Sequence, residues 1–216
     1  MQTDLTSFHQ GQQVLAAGKP LKEAKAAMIM VHGRGATAAS ILGLAQDIAH
    51  PDFAYLAPQA NGNSWYPYPF IQPIANNEPY LSSALRAVGD LAAYVVEQGV
   101  PHEKLILLGF SQGACLTLEF AARNSRRYGG VIALSGGLIG EPGTQWNYPG
   151  SLAETPVFLG CDPRDFHIPE SRIHESAEEM ARRGGTVTKR LYPNLGHTVN
   201  DDELQFVRAL MATLTA

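Results

Sequence analysis

The sequence predicts an α/β fold, a mostly parallel central sheet with helices on both faces. Three observations carry that expectation. Short apolar runs bounded by glycine or polar residues recur at 27–31, 54–56, 105–108, 131–134 and 157–159. They lack the alternation of a half-exposed strand and read as strands buried on both faces. Between them lie stretches whose apolar residues recur at a spacing near 3.6, as crossover helices require. No internal repeat or low-complexity tract breaks the alternation of the two.

Taken in chain order, the N-terminal part to about Leu21 offers a short edge hairpin from residues 12–15 and the turn Gly18-Lys19-Pro20. The strand at 27–31 is followed by Ile41, Leu42, Leu44, Ala45 and Ile48, one face of a helix. After the strand at 54–56 comes a long loop, 59–78, and then a helix over 81–96. The strand at 105–108 leads into a helix over 114–122, and the strand at 131–134 into a second long loop, 138–154. The strand at 157–159 precedes a helix over 173–180. A more polar run, 186–192, reads as an edge strand, and Leu204, Val207, Leu210, Met211 and Leu214 form one stripe of a last helix capped by Asp201. Loops longer than about 12–15 residues are usually functional or disordered. Trp65, Tyr66, Tyr68 and Phe70 in the first, and Trp146 and Tyr148 in the second, argue for order; in the blander reading they only pack each loop onto its own cluster.

Composition narrows the function. The 216 residues, 45% hydrophobic and 17% charged, suit one domain over 1–216. A net charge of -4, with no basic run longer than a pair, argues against nucleic acid or anionic lipid as partner. No apolar run approaches the roughly 20 residues of a membrane span, and the start Met1-Gln2-Thr3-Asp4 has no signal-peptide pattern, so a cytoplasmic protein is expected. Cys115 and Cys161 are too few for a disulfide framework and have no zinc-ligand spacing, so both read as buried thiols and no metal is expected.

The chemistry begins at Gly109-Phe110-Ser111-Gln112-Gly113, which ends a predicted strand and opens a predicted helix. That is the context of a nucleophile elbow, where a serine sits on a strained turn and side chains at the flanking glycines would collide with the joined elements. A serine hydroxyl needs a base, and the base a third group to hold its tautomer. His197 follows the last strand and precedes the final helix, the position for the base at the carboxyl edge of the sheet. His9 and His50 lie in surface-like segments, His102 and His174 at a helix boundary and within a helix, and His167 beside the acid candidates. Past the strand at 157–159, Asp162 and Asp165 supply two candidate acids. The order Ser, Asp, His is that of α/β-hydrolases. An oxyanion needs two donors: the backbone N–H of Gln112, at the start of the elbow helix, and that of Arg34 in His32-Gly33-Arg34-Gly35, after the first core strand. His32 then reads as a residue that braces this loop. The loop carrying Trp65 and Tyr66 leaves the carboxyl end of an early strand, so the two are expected to wall the substrate pocket.

The chain resembles the phospholipase/carboxylesterase family of small α/β-hydrolases, relatives of the acyl-protein thioesterases. The likeness rests on His32-Gly33-Arg34-Gly35, Trp65-Tyr66-Pro67, Gly109-Phe110-Ser111-Gln112-Gly113-Ala114, Ser135-Gly136-Gly137, Asp165-Phe166-His167-Ile168-Pro169 and Tyr192-Pro193-Asn194-Leu195-Gly196-His197, and it runs from about residue 13 to 214. It implies ester or thioester hydrolysis without a cofactor, with Ser111, Asp165 and His197 as triad and Arg34 and Gln112 as oxyanion donors. Family members usually carry Pro directly after the acid, where this chain has Phe166. Asp162, before Pro163, has a sufficient use as a turn residue, and Asp165 is far enough along to fold back toward His197.

The expected function is therefore a serine carboxylesterase for small esters, with no large lid domain. Its partner is a small-molecule ester or thioester, and the oligomeric state is left open. An acyl-protein thioesterase or lysophospholipase-like activity is the rival among enzymes. From a different class, the rival is a ligand-binding module on the same scaffold.

Overall fold

A computed structural model describes residues 7–216. The apolar runs become β2 (Ala26–Val31), β3 (Phe53–Pro58), β4 (Leu105–Phe110), β5 (Gly130–Leu134) and β6 (Pro156–Cys161), flanked by β1 (Val14–Gly18) and β7 (Thr186–Leu191). The periodic stretches become α1 (Ala38–Gly43), α2 (Tyr80–Glu97), α3 (Gln112–Arg123), α4 (Glu170–Arg182) and α5 (Asp201–Thr215). The strands form one sheet in the order β1-β3-β2-β4-β5-β6-β7. β1 is antiparallel to β3, and every other pair is parallel.

Both faces of the sheet are covered, which is why the strands lack alternation. Along β2, Ala27, Ile29 and Val31 join a cluster with Leu81, Leu85 and Val88 of α2, Leu116 and Leu118 of α3, and Ile173 and Met180 of α4. Ala26, Met28 and Met30 join a second cluster with Ile41 of α1 and Val207 and Met211 of α5. Successive strand side chains point to opposite faces, so α2, α3 and α4 cover one side and α1 and α5 the other. Every residue of α3 from Gln112 to Ala122 is buried.

β2 lies between β3 and β4, so the chain leaves β2 in one direction and resumes on its other side. In doubly wound sheets such a switch point opens a crevice at the carboxyl ends of its strands. Here the segments that follow β2 and β4 begin with His32 and Ser111.

Three local expectations are corrected. β1 is an edge strand, but it forms no hairpin with its sequence neighbour. Val14 faces Pro58 and Gly18 faces Ala54 on β3, and a 3-10 turn, Leu21–Glu23, carries the chain onward to β2. The helix expected over 41–48 is the short α1 continued by a 3-10 turn, Leu44–Gln46. The cap of α5 is Asn200 and not Asp201: the Asn200 side chain accepts from Glu203 N at 3.0 Å, and Glu203 Oε2 accepts from Asn200 N at 2.9 Å. β7 is half-exposed at the other edge, as its polar composition predicts.

Candidate active site

Ser111 joins β4 to α3 with φ 55° and ψ -121°, a left-handed backbone that a side chain makes costly. The flanking glycines make the turn possible. A Cβ at Gly109 would lie 2.2 Å from the Gly113 carbonyl oxygen, and one at Gly113 would lie 2.0 Å from the Val31 carbonyl oxygen of β2. Ser111 N donates to Leu134 O at 2.9 Å, which ties the turn to β5.

His197, Asp165 and Ser111 lie in one line. His197 Nε2 is 2.8 Å from Ser111 Oγ, and His197 Nδ1 is 2.6 Å from Asp165 Oδ2. The ring nitrogen facing a carboxylate carries the proton, so Nδ1–H donates to Asp165 and the bare Nε2 accepts from the serine hydroxyl. The Asp165 side chain is fully buried, and its Oδ1 accepts from His167 N at 2.8 Å and Ile168 N at 3.3 Å. The second candidate acid has a different use. Asp162 accepts from Arg164 N at 2.8 Å and Gly196 N at 2.7 Å, and these backbone bonds, Gly196 first, hold its carboxyl below the usual range. Asp162 thus anchors the loop that carries His197, and Asp165 touches the imidazole itself.

The segment after β2 reaches the same place. A Cβ at Gly33 would lie 3.3 Å from Ser111 Cβ, so Arg34 follows a residue in near contact with the serine. Gln112 opens α3, so its N–H has no acceptor within the helix and stands at the positive helix end. His32 is fully buried: Nδ1 donates to Gly33 O at 2.8 Å, and Nε2 accepts from Ala60 N at 3.1 Å. Burial lowers its pKa and favours this neutral, bracing form.

Trp65 and Tyr66, on the loop after β3, have their side chains turned inward. Trp65 is 0% and Tyr66 1% exposed, so both are part of the core. They do not present an open wall. Aromatic burial against the segment after β2 wins over exposure: Trp65 Nε1 donates to His32 O at 2.9 Å, and its ring lies 5.0 Å from that of His32. The same loop clamps the side chain of Gln112, whose Oε1 accepts from Trp65 N at 2.9 Å and whose Nε2 donates to Tyr66 O at 2.8 Å. The Arg34 guanidinium donates to Pro67 O at 2.8 Å and Tyr68 O at 3.0 Å. The second long loop is tied down from α4, where the buried Arg172 donates to Leu138 O at 2.8 Å and Gly140 O at 2.7 Å.

Two participants carried no sequence signal. His9 is 4% exposed and not on the surface: its Nε2 donates to Trp65 O at 2.9 Å and its Nδ1 accepts from Asn61 N at 3.1 Å. Cys161, at the end of β6, places its Sγ 3.8 Å from Asp165 Oδ2. Both contacts cross long stretches of chain or depend on how a loop folds back, and no spacing encodes them. Two clefts of about 520 and 570 Å³ flank β1 and contain none of Ser111, Asp165 and His197. They are lined mainly by apolar groups beside the sheet edge, away from the switch point where Ser111, Asp165 and His197 meet.

A serine held on a tight strand-to-helix turn at the switch point of a doubly wound sheet is the arrangement of α/β-hydrolases, and the chain has that fold. The phospholipase/carboxylesterase family model matches residues 12–215, and the chain belongs to that family. A phospholipase/carboxylesterase from Dyadobacter fermentans superposes with a TM-score of 0.90 at 43% identity, over 96% of this chain and 99% of that one. Acyl-protein thioesterase 1 of Debaryomyces hansenii is 29% identical over 89% of this chain and 91% of its own length. Acyl-protein thioesterase 1 of Eremothecium gossypii is 32% identical over 59% of this chain, and the match spans 57% of that protein. Among the described residues, no helix is long and apolar enough to cross a membrane.

Proposed function

We propose that this chain, read as one domain over 1–216, is a serine carboxylesterase that hydrolyses small carboxylic esters through an acyl-enzyme. The observation that carries the proposal is the continuous bond path from Ser111 Oγ through His197 to Asp165, at 2.8 and 2.6 Å. Ser111 Oγ attacks the acyl carbonyl as His197 Nε2 takes its proton. Asp165 holds the tautomer and stabilises the imidazolium. The backbone N–H groups of Arg34 and Gln112 receive the oxyanion in both tetrahedral steps. His197 returns the proton to the leaving alcohol, then activates a water that releases the acid and restores Ser111.

No residue in this sequence of steps calls for a metal or cofactor. Trp65 and Tyr66 act on substrate through the backbone they hold, since both side chains are buried. Acyl-protein thioesterase relatives at 29% and 32% identity support a second reading, hydrolysis of long-chain thioesters.

Replacing Ser111 by Ala is expected to leave a folded protein whose kcat is lower by several orders of magnitude. Retention of more than about a tenth of wild-type kcat, in material shown clean by mass spectrometry, would falsify the mechanism. Labelling of Ser111 by a fluorophosphonate separates an esterase from a ligand-binding module on this scaffold. A panel of p-nitrophenyl esters and acyl thioesters of graded length separates the two enzyme readings.

A further inference from the structure

The proton that leaves His197 Nε2 must reach the leaving group, so the departing oxygen or sulfur stands beside the His197 ring. Aromatic rings packed about the His197 ring are therefore close enough to meet the body of a leaving group. Three rings are there. Phe110 lies 5.1 Å from the His197 ring centroid, His167 meets it edge-on at 4.8 Å, and Phe166 lies at 6.4 Å, packed on His167 at 4.2 Å.

Phe166 is the unusual member. It is 82% exposed, more than any other large hydrophobic side chain among the described residues. Leaving an aromatic ring in water forgoes the transfer free energy that burial would supply. The ring is nonetheless on a fixed backbone, because the residues around it are pinned: Asp165 is buried on one side, and His167 N and Ile168 N both donate to Asp165 Oδ1 on the other. Arg164 of the same loop donates from one guanidinium nitrogen to Asn194 Oδ1.

We infer that Phe166, with Phe110 and His167, forms the leaving-group subsite of the proposed esterase and selects esters whose alcohol carries an aryl or bulky apolar body. The inference rests on the triad reading above. In the acylation step the bond from Ser111 Oγ to the acyl carbon forms. The bond from that carbon to the alcohol oxygen breaks with its electron pair on the oxygen, which takes the proton from His197 Nε2 and leaves as the neutral alcohol. The alcohol body meets the aromatic rim while the acyl chain extends away from it. Phe166 is thus a specificity-determining residue.

The test compares 2-phenylethyl acetate with ethyl acetate, two esters with the same acyl group and alcohols of similar acidity. In Phe166→Ala the ratio of their kcat/KM values is expected to fall about fivefold to tenfold, as loss of an aromatic contact implies. In Phe166→Tyr, which keeps the ring, the ratio is expected to stay within about twofold of wild type. A ratio unchanged in Phe166→Ala overturns the inference. So does a change of similar size in the acyl series ethyl acetate, butanoate and hexanoate, because Phe166 would then belong to the acyl side. Fluorophosphonate labelling of Ser111 in the wild type and in Phe166→Ala tells the two failures apart. Labelling with an unchanged ratio overturns this subsite alone, whereas an unlabelled wild type overturns the triad reading and the subsite with it.

Discussion

Asp162 and Asp165 differ by three positions and have separate roles in the geometry. Asp165 Oδ2 meets His197 Nδ1 at 2.6 Å, whereas Asp162 accepts backbone N–H groups of Gly196 and Arg164. Asp165→Asn presents a donor to His197 Nδ1 and forces the wrong imidazole tautomer, so kcat is expected to fall about 10³–10⁴-fold with little loss of melting temperature. Asp162→Asn is expected to lower the melting temperature and to change kcat far less, because it loosens the turn that carries His197. Steady-state kinetics and thermal melts on both variants decide the matter, and the reverse pattern would make Asp162 the acid. The two thiols behave as core atoms. Burial pushes the Cys115 and Cys161 thiols up to about 12, and the Asp165 carboxylate adds to the effect at Cys161. Neither is expected to react with a disulfide reagent at pH 8 in the native protein, while both react in urea. Rapid native labelling of either would show that its site opens.

At the scale of elements, the loop after β3 acts as a bracket. Its Trp65 reaches the His32 carbonyl with Nε1 and the Gln112 amide with its backbone, so it couples the segments that follow β2 and β4. Trp65→Phe keeps an aromatic ring but loses the indole N–H and part of the packed volume, leaving the buried His32 carbonyl without this donor. A destabilisation of about 1–3 kcal/mol is expected, with the ranking of ester substrates unchanged. If urea titration shows no loss of stability and the ranking shifts, Trp65 faces substrate after all. The cap of α5 is a second such device, since the helix begins four residues after His197. Asn200→Ala is expected to cost about 1 kcal/mol in stability, measured by denaturant midpoint.

At the scale of the whole molecule, Glu203 links stability to pH. Its side chain is packed under Gly160, where a Cβ would lie 2.0 Å from Glu203 Oε1, and burial raises its carboxyl to about 7. In the unfolded chain the group returns to about 4.3. Below both values each state is protonated and the group costs nothing. As pH rises from about 4.3 to 7 the unfolded chain loses its proton while the folded chain keeps it, so stability falls, by at most about 4 kcal/mol, and then levels off. Glu203→Gln is expected to flatten the decline of melting temperature between pH 5 and 8. An identical decline in the variant would assign the pH dependence to other groups.

The amino-acid sequence by itself determined the succession of strands and helices, the turn at Ser111 and the order Ser, Asp, His along the chain. These are local quantities: apolar period reports burial of a segment, and paired glycines report a turn that admits no Cβ. Phe110 and His197, which meet ring to ring, are 87 positions apart, and no periodicity records such a meeting. The sequence favoured Asp165 over Asp162, but only the tertiary structure gives the contacts, Asp165 on His197 and Asp162 on backbone N–H groups, because the direction of a carboxylate depends on the path of the loop after β6. The tertiary structure alone buried Trp65 and His9, set β1 against β3, and moved the cap of α5 to Asn200. Each of these depends on a contact between segments distant in the chain or on the turn of one backbone bond, and burial of apolar area, being non-directional, leaves such choices to the assembled packing.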